Sequence, residues 1–282
     1  MGAVRYETDY RSLNGWAYNL KIWDEKYSGG IKDFKVGSQA PTIKYDSAGD
    51  NKLSPLICSS LEFTFVVENI VDSTWIDLVK SGAYEEKDIY CELKKDSVVV
   101  WGGYLIMDLG EEEDVTYPYE IKMRFIDGLA LLKEIDFVPS PSTTTAPYTY
   151  AQTYLDTSNT TNIHYKSFVW WLCEILNNAG INSTATGASG DWRLVTCNNW
   201  YNEEHGTISG WATKDPLKNT AANARQFYEV AMEDDNGVAL LYKAVTCYDA
   251  LVAICATWGC RCVYYAGHIY IVQVGLYSVA ES

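Results

Sequence analysis

Apolar and polar residues alternate along much of the first 137 positions of the chain, which is the pattern of half-buried β-strands. In one such segment Leu61, Phe63 and Phe65 fall on the same face, with polar residues between them. Strands are predicted over 18–23, 61–67, 89–94, 98–106 and 119–126. One short helix is expected among them, from Trp75 to Val79. Several strands with few helices predict a β-barrel or β-sandwich domain over residues 1–137.

The pattern changes at Val138. Residues 139–162 are rich in Ser, Thr and Pro and have no periodicity, which predicts a linker or loop. A helix that ends at Gly180 is predicted next from an apolar stripe, formed by Phe168, Trp171, Leu172, Ile175, Leu176 and Ala179. A weaker pattern follows, with a possible helix over 221–232. Residues 138–246 are therefore predicted to form a linker and a mixed α/β insertion.

The final segment, 247–282, is predicted to begin with a helix that leads into a β-hairpin. Asp249 occupies the predicted N-cap, and Gly259 ends the apolar helical run. Two alternating segments follow, 260–265 and 268–274, joined by a short turn.

A similar unit ends the first domain, where Asp127 follows a strand and precedes an apolar helical turn. Asp127 and Asp249 are therefore both predicted as helix caps, and one strand–helix unit is expected to occur twice. On this plan the final hairpin begins a second barrel-like domain. The predicted fold class is mainly β with an α/β insertion.

The charge of the chain narrows the range of functions. Lys and Arg number 22 against 37 Asp and Glu, which gives a net charge of −15. Such a surface repels phosphate backbones, so we expect no sequence-independent binding of nucleic acid, although DNA could pass nearby without being held. No apolar run is long enough to span a membrane, and the N-terminus lacks the apolar core of an export signal.

Candidate chemistry is sparse. The eight cysteines sit mostly among apolar neighbours, and we expect reduced thiols that pack as small hydrophobes. A zinc site at Cys255, Cys260, Cys262 and His268 is the less favoured alternative. The segment 203–205, Glu-Glu-His, lacks both the facing carboxylates of a glycosidase and the HExxH spacing of a zinc peptidase. We predict no catalytic residue, no cofactor and no metal ligand.

Two groups of side chains are candidates for contacts with partners. The acidic run is expected in a solvated turn or, in an assembled ring, at a lumen wall or rim; it comprises Glu111, Glu112, Glu113 and Asp114. The aromatic group is expected at protein interfaces, with stacking on sugar rings as the alternative; it comprises Trp192, Trp200, Tyr201 and Trp211.

Three blocks of the sequence resemble structural tail proteins of phages and prophages of Bacteroidetes hosts. The segment DGLALLKEIDF (Asp127–Phe137) is similar to their TDGL-x-LLK block, and the preceding WGGYL (Trp101–Leu105) matches a Trp-Gly-x-hydrophobic strand. The last block is CYDALVAICATWGCRCVYYAGHIYIVQV (Cys247–Val274). Order and spacing agree over most of the chain, but this sequence has His268-Ile269 where an aromatic residue is usual.

The resemblance implies a non-enzymatic virion protein, similar to the baseplate-hub proteins of long-tailed phages. Those hubs are trimers in which each subunit has two β-barrel domains related to the tail-tube fold, so that three copies present a pseudo-sixfold ring to the tube. The implied partners are other copies of the chain and the tail-tube, baseplate or fibre proteins, with a passage for DNA through the ring. The implied location is the virion tail, assembled in the host cytoplasm. A receptor- or carbohydrate-binding module at the tail tip is the alternative.

Overall fold

The computed structural model describes residues 2–47, 54–109, 116–137, 165–168, 171–172, 175–176, 194–197, 217, 220–223, 228–233, 239–265 and 268–274. The chain divides into two compact units. The N-terminal unit comprises Met1–Lys52, Ile57–Gly128 and Val263–His268. The C-terminal unit comprises Leu53–Leu56, Leu129–Cys262 and Ile269–Ser282. The described secondary structure is mainly β with few helices, which confirms the predicted fold class.

The N-terminal unit is built on one largely antiparallel sheet. Its strands are β1 (Ala3–Arg11), β2 (Ala17–Asp24), β3 (Lys32–Asp33), β4 (Thr42–Ser47), β5 (Leu56–Val67), β6 (Ile89–Lys95), β7 (Val98–Leu105) and β8 (Tyr119–Ile126). They are ordered β5-β8-β7-β6-β2-β1-β3, with β4 paired to β5. Each strand predicted for this region is therefore confirmed, and β1, β3 and β4 are additional.

The sheet is open, so the strand ladders do not form the predicted closed barrel. The irregular connection between β3 and β4 lies against β1 and β5, the strands that a closed barrel would have to join. The Phe34 amide donates to the Glu7 carbonyl of β1, and the Gly37 amide donates to the Thr64 carbonyl of β5 at 2.7 Å. The connection lacks an alternating apolar pattern and contains Pro41, which has no amide hydrogen, so it does not continue as a regular strand.

The first helix, α1 (Ile70–Lys80), covers the apolar core of this unit. It begins five residues before the predicted helix because the Asn69 side chain accepts hydrogen bonds from the amides of Val71 and Asp72. Its Trp75 is fully buried, with its ring 5.0 Å from that of Tyr6 on β1. The core residues alternate along the strands and include Leu20, Ile22, Leu61, Phe63, Phe65, Ile89, Leu93, Ile121, Met123 and Phe125.

The elements that follow β8 along the chain are shorter. They are α2 (Gly128–Leu131), a 3₁₀ turn (Leu132–Glu134), β9 (Tyr165–Ser167), β10 (Leu194–Cys197), β11 (Ala221–Asn223), β12 (Tyr228–Glu233), β13 (Ala239–Ala244), α3 (Cys247–Thr257), β14 (Cys260–Tyr265) and β15 (His268–Gln273). The pairs β9–β11 and β12–β13 are antiparallel, and β10 runs parallel to β15. The predicted final helix and hairpin are confirmed as α3, β14 and β15.

The predicted helix over 221–232 is wrong, because β11 and β12 occupy most of that range. Tyr228, Val230 and Met232 alternate with other residues, and this period-2 pattern overrides the weak helical pattern. The predicted helix with an apolar stripe that begins at Phe168 is confirmed in the part that the structure describes. Its described members are helical: Phe168 is half-buried, and Trp171, Leu172, Ile175 and Leu176 are almost fully buried.

The structure describes six cysteine side chains as thiols. Cys91, Cys247, Cys255, Cys260 and Cys262 are buried, and Cys58 is half-buried. Burial raises the pKa of the Cys91 and Cys255 thiols, so both are held in their neutral form. These side chains therefore behave as the small hydrophobes that the sequence predicted. No helix in the described parts of the chain combines the length and apolar character needed to cross a membrane.

Candidate functional site

The three segments that resemble phage-tail sequences are called the resemblance blocks below. Two of them, the blocks that begin at Trp101 and Asp127, meet at Ser59 on β5. The Trp101 indole Nε1 donates to the Ser59 hydroxyl at 2.9 Å, and that hydroxyl donates to Asp127 Oδ2 at 2.7 Å. The Ser59 amide donates to the same carboxylate oxygen at 2.5 Å. All three residues are at most 2% exposed. We call Ser59, Trp101 and Asp127 the Ser59 cluster.

The strand register explains why these residues meet. β5 and β8 pair Ser60 with Ile126, so Asp127 emerges from β8 beside Ser59. The Asp127 amide also donates to the Ser59 carbonyl at 2.9 Å. Because both strands are fixed by long ladders, the carboxylate has little freedom to move away. Its hydrogen bonds therefore join β5 to the residue that precedes α2, and the Trp101 hydrogen bond to the Ser59 hydroxyl adds β7.

The two glycines after Trp101 are required by close packing. A Cβ on Gly103 would lie 2.2 Å from the Ile126 carbonyl oxygen, and one on Gly102 would lie 1.9 Å from the Tyr90 phenol oxygen. The first neighbour is backbone, whereas the second is the end of a side chain. The Trp-Gly-Gly sequence thus allows β7 to approach β8 and leaves space for the Tyr90 ring. This block has a packing role.

The other end of the DGLALLKEIDF block contacts the start of the final block. The Cys247 amide donates to the Ile135 carbonyl at 2.7 Å, and the Phe137 amide donates to the Val245 carbonyl at 2.8 Å. We call this short antiparallel contact of residues 135–137 with residues 245–247 the block contact. Both resemblance blocks therefore meet through their backbones within the C-terminal unit.

The N-cap of α3 is Thr246, three residues before the predicted cap Asp249. Thr246 has an extended backbone, and its hydroxyl oxygen accepts from the Asp249 amide at 3.1 Å and donates to Asp249 Oδ2 at 2.8 Å. This reciprocal pair resembles a capping box, in which the acidic residue lies in the first turn. Asp127 directly precedes α2, whereas Asp249 lies inside α3, so the two aspartates do not occupy equivalent positions. Gly259 ends the helix region with a positive φ of 59°.

The polar face of the sheet carries a charge cluster around Glu62 on β5. The Lys44 ammonium lies 2.7 Å from Glu62 Oε2, the Lys122 ammonium lies 3.1 Å from the same oxygen, and the Arg124 Nε lies 3.5 Å from Oε1. Hydrogen bonds from Lys44 and Lys122 lower the pKa of Glu62 to about 2. The carboxylate therefore stays ionised and balances cations from β4 and β8.

A second network surrounds the buried Asp24 at the end of β2. Its Oδ2 atom accepts from Arg5 Nη1 and from the Tyr84 hydroxyl, each at 2.9 Å, and its Oδ1 accepts from the Lys26 amide. Burial, followed by the hydrogen bond to Asp24, raises the pKa of Tyr84 to about 12. The Asp24 carboxylate thus links β1 and β2 to the loop before β6, and its role is structural.

Several predicted site residues lie outside the described part of the chain. These are the acidic run Glu111, Glu112, Glu113 and Asp114, the aromatic group Trp192, Trp200, Tyr201 and Trp211, and the segment 203–205. Within the part that the structure describes, no three His, Cys, Asp or Glu side chains lie together as a metal-binding group. Sequence reasoning missed Ser59, for which only the pairing of β5 with β8 supplies a signal.

Comparison with known proteins finds no matching family model and no matching curated protein. Two solved structures are similar at low identity. The 43 kDa tail protein of prophage MuSo2 from Shewanella oneidensis has 10% identity and a TM-score of 0.39, with 85% of this chain and 54% of that chain covered. The tail protein from Neisseria meningitidis MC58 has 11% identity and a TM-score of 0.36, with 90% of this chain and 50% of that chain covered. This chain thus spans about half the length of each of these two tail proteins.

Proposed function

We propose that the chain is a non-enzymatic structural protein of a phage tail. In this proposal, copies of the chain form a hub or baseplate ring that joins the tail tube to distal parts and leaves a passage for DNA. The observation that carries the proposal is the position of the resemblance blocks. Trp101 and Asp127 meet in the Ser59 cluster, and residues 135–137 meet residues 245–247 in the block contact.

The chemistry of these positions favours a shared architecture over a shared reaction. Trp101 and Asp127 are buried, and their described hydrogen bonds serve to fix strands and a helix start. The Gly103 position serves the close approach of two strands. A resemblance carried by such residues therefore supports a common tail-protein fold, with assembly as its function.

Exposed apolar side chains support an assembly role. On the described surface of the N-terminal unit, Leu13 is fully exposed, and exposure is 66% for Ile70 and 61% for Val98. Scattered apolar residues are normal, but Ile70, Val71 and Leu78 share the solvent face of α1. Contacts between subunits are one way for such residues to lose their exposure to water.

The net charge suits a protein beside a DNA passage. A chain with a net charge of −15 repels the phosphate backbone, so DNA would move past it without being held. Neutralising contacts with phosphates would instead require a basic surface. The charge therefore supports passage of DNA in preference to recognition of DNA.

Sedimentation velocity of the purified chain over a range of concentrations tests this proposal. We expect a concentration-dependent assembly with the mass of three or six copies, seen as a ring by electron microscopy. A binding assay with a tail-tube protein from the same phage or prophage should show association with this ring. A monomer at the highest soluble concentration that also fails to bind the tube protein would contradict the proposal.

A further inference from the structure

The antiparallel strands β1, β2 and β6 end in two loop clusters of different character. One cluster, which we call the tip end, contains the turns 11–16 and 95–98. The other, which we call the acidic end, contains the loops 24–31 and 81–88. Six residue steps along β2 separate Tyr18 from Asp24, so the two ends lie about 20 Å apart at the rise of a β-strand.

The two turns of the tip end are held side by side by hydrogen bonds. The Asp96 amide donates to the Ala17 carbonyl at 2.9 Å, and the Ala17 amide donates to Asp96 Oδ1 at 3.3 Å. The type of turn is fixed because Asp96 and Ser97 both have positive φ, as a two-residue hairpin turn requires. The tip end is therefore a preformed surface.

The tip end exposes apolar groups together with cations. Leu13 is fully exposed, and Trp16 and Val98 are 48% and 61% exposed. The Lys95 ammonium lies 3.9 Å from the centre of the Trp16 ring, and Arg11 is exposed at the end of β1. The one carboxylate within these turns, Asp96, is directed to the Ala17 amide. The tip end is therefore apolar and locally basic, although the net charge of the whole chain is strongly negative.

The acidic end has the complementary character. Its two loops carry two lysines and five carboxylates, of which Asp24 is buried against Arg5 and the other four lie nearer the surface. The Lys26 ammonium lies 2.8 Å from Asp88 Oδ2, and the Glu25 amide donates to the Asp88 carbonyl, so the loops are fixed to one another. Glu85 and Glu86 remain exposed. An exposed apolar residue, Ile31, lies at the end of the same loop region.

We infer that the tip end of one copy docks on the acidic end of a second copy, and that this contact joins the copies into the ring. The inference rests on the proposed function, because it names the surface through which copies of the chain assemble. Its basis is the charge complementarity of two preformed surfaces on opposite ends of the same sheet, each of which also exposes at least one apolar side chain. Since the two surfaces differ, the contact is heterologous, and heterologous contacts close into a ring when the rotation between copies permits it.

A charge-exchange experiment on the full chain tests the inference. The tip variant carries Arg11→Glu with Lys95→Glu, the end variant carries Glu85→Lys with Glu86→Lys, and a third protein carries all four changes. We expect each two-site variant to need a concentration higher by about tenfold or more for half-assembly. The four-site protein should assemble as the wild type does, because its ends attract each other again. Lys35→Glu, an exposed change of the same sign outside both ends, serves as the control and should leave assembly unchanged.

The outcomes separate the inference from the proposed function. If the wild type forms a ring and the tip variant forms it equally well, the inference is wrong, but the proposed ring-forming function is supported. If both two-site variants fail and the four-site protein also fails, while its near-ultraviolet circular dichroism shows native packing, the tip contacts another surface or another protein and the inference is wrong. If the wild type never assembles, both the inference and the ring are contradicted.

Discussion

Asp127 accepts two hydrogen bonds from Ser59 on a single carboxylate oxygen, one from the backbone amide and one from the hydroxyl. Ser59 in turn accepts a hydrogen bond from Trp101, so three strands and the start of α2 converge on one buried hydroxyl. Hydrogen bonds to a buried carboxyl oxygen that cannot exchange them for water are costly to remove. This relationship gives two of the resemblance blocks a physical meaning and leads to the first prediction.

Removing either partner of this pair should destabilise the protein. Ser59→Ala deletes the hydroxyl that Asp127 and Trp101 share, and Asp127→Ala deletes the acceptor, so each should cost about 1–3 kcal/mol in free energy of unfolding. The double variant should cost less than the sum of the two, with a coupling of about 1 kcal/mol. Urea unfolding monitored by fluorescence measures these values.

The control for this pair is Asp77→Ala, which removes an exposed carboxylate of the same type from α1. It should change the free energy of unfolding by less than about 0.5 kcal/mol. Additive effects of Ser59→Ala and Asp127→Ala would show that the two residues stabilise the fold independently, and the Ser59 cluster would then not be a cooperative unit.

The loss of stability on replacing a glycine of β7 should depend on whether the new methyl group meets backbone or a side chain. Gly103→Ala places a methyl group against the Ile126 carbonyl and should cost about 2–3 kcal/mol, since backbone cannot move cheaply. Gly102→Ala meets the Tyr90 phenol, a side-chain end that can shift, and should cost less. Gly30→Ala has no neighbour within 4 Å and serves as the control. Thermal unfolding compares the three, and an effect of Gly103→Ala as small as that of Gly30→Ala would refute the close packing of β7 on β8.

The helix α3 should depend on Thr246 more than on Asp249. Thr246→Ala removes the N-cap hydroxyl and should lower the free energy of unfolding by about 1 kcal/mol. Asp249→Ala removes the first-turn carboxylate and its hydrogen bond from the Thr246 hydroxyl but leaves the N-cap oxygen in place, and it should cost about half as much. Chemical denaturation of both variants measures the difference. A larger loss for Asp249→Ala would restore Asp249 as the principal cap.

Acid should weaken the protein through Glu62. Its pKa is lowered in the folded state from 4.5 to about 2, so its ionised form contributes stability above pH 4.5. That contribution should be lost as the pH falls from 4.5 towards 2. Because the cations are partly exposed to solvent, we expect a contribution of about 1–2 kcal/mol near neutral pH.

The variant Glu62→Gln should therefore be less stable near neutral pH and should show a shallower loss of stability between pH 4.5 and 2. Glu68→Gln removes an exposed carboxylate paired with Lys35 and is the matched control, expected to retain the slope of the wild type. Measurement of the free energy of unfolding at several pH values distinguishes them. An identical slope for Glu62→Gln and the wild type would show that the charge cluster adds no stability.

The sheet could be predicted where one face is buried and the other is polar. The predicted strands correspond to β2 and β5 to β8, because alternation along these segments reflects core and solvent faces. The short strands β3 and β4 have weaker patterns, since they depend on pairing with β1 and β5 rather than on a buried face. The helix expected over 221–232 failed because a few apolar residues fit both periods, and pairing of β12 with β13 decided between them.

The candidate site was less accessible to sequence reasoning. Asp127 stood out because it precedes an apolar helical turn, but its partner Ser59 lies 68 positions away and carries no local pattern. Thr246 was overlooked as a cap because Asp249, also a common capping residue, lies nearer the apolar run. Long-range register and competition between neighbouring caps are set by tertiary packing. Residue type and spacing alone do not determine them.

Quantitative mass spectrometry of purified tailed particles from the host that encodes this chain tests the proposed tail role most directly. We expect the chain to be present in intact particles at three or six copies, and gold-labelled antibodies to mark one end of the tail. The abundance should be compared with that of the tail-tube protein in the same particles. A chain that is abundant in the lysate but absent from purified particles would contradict the proposal that it is a structural part of the tail.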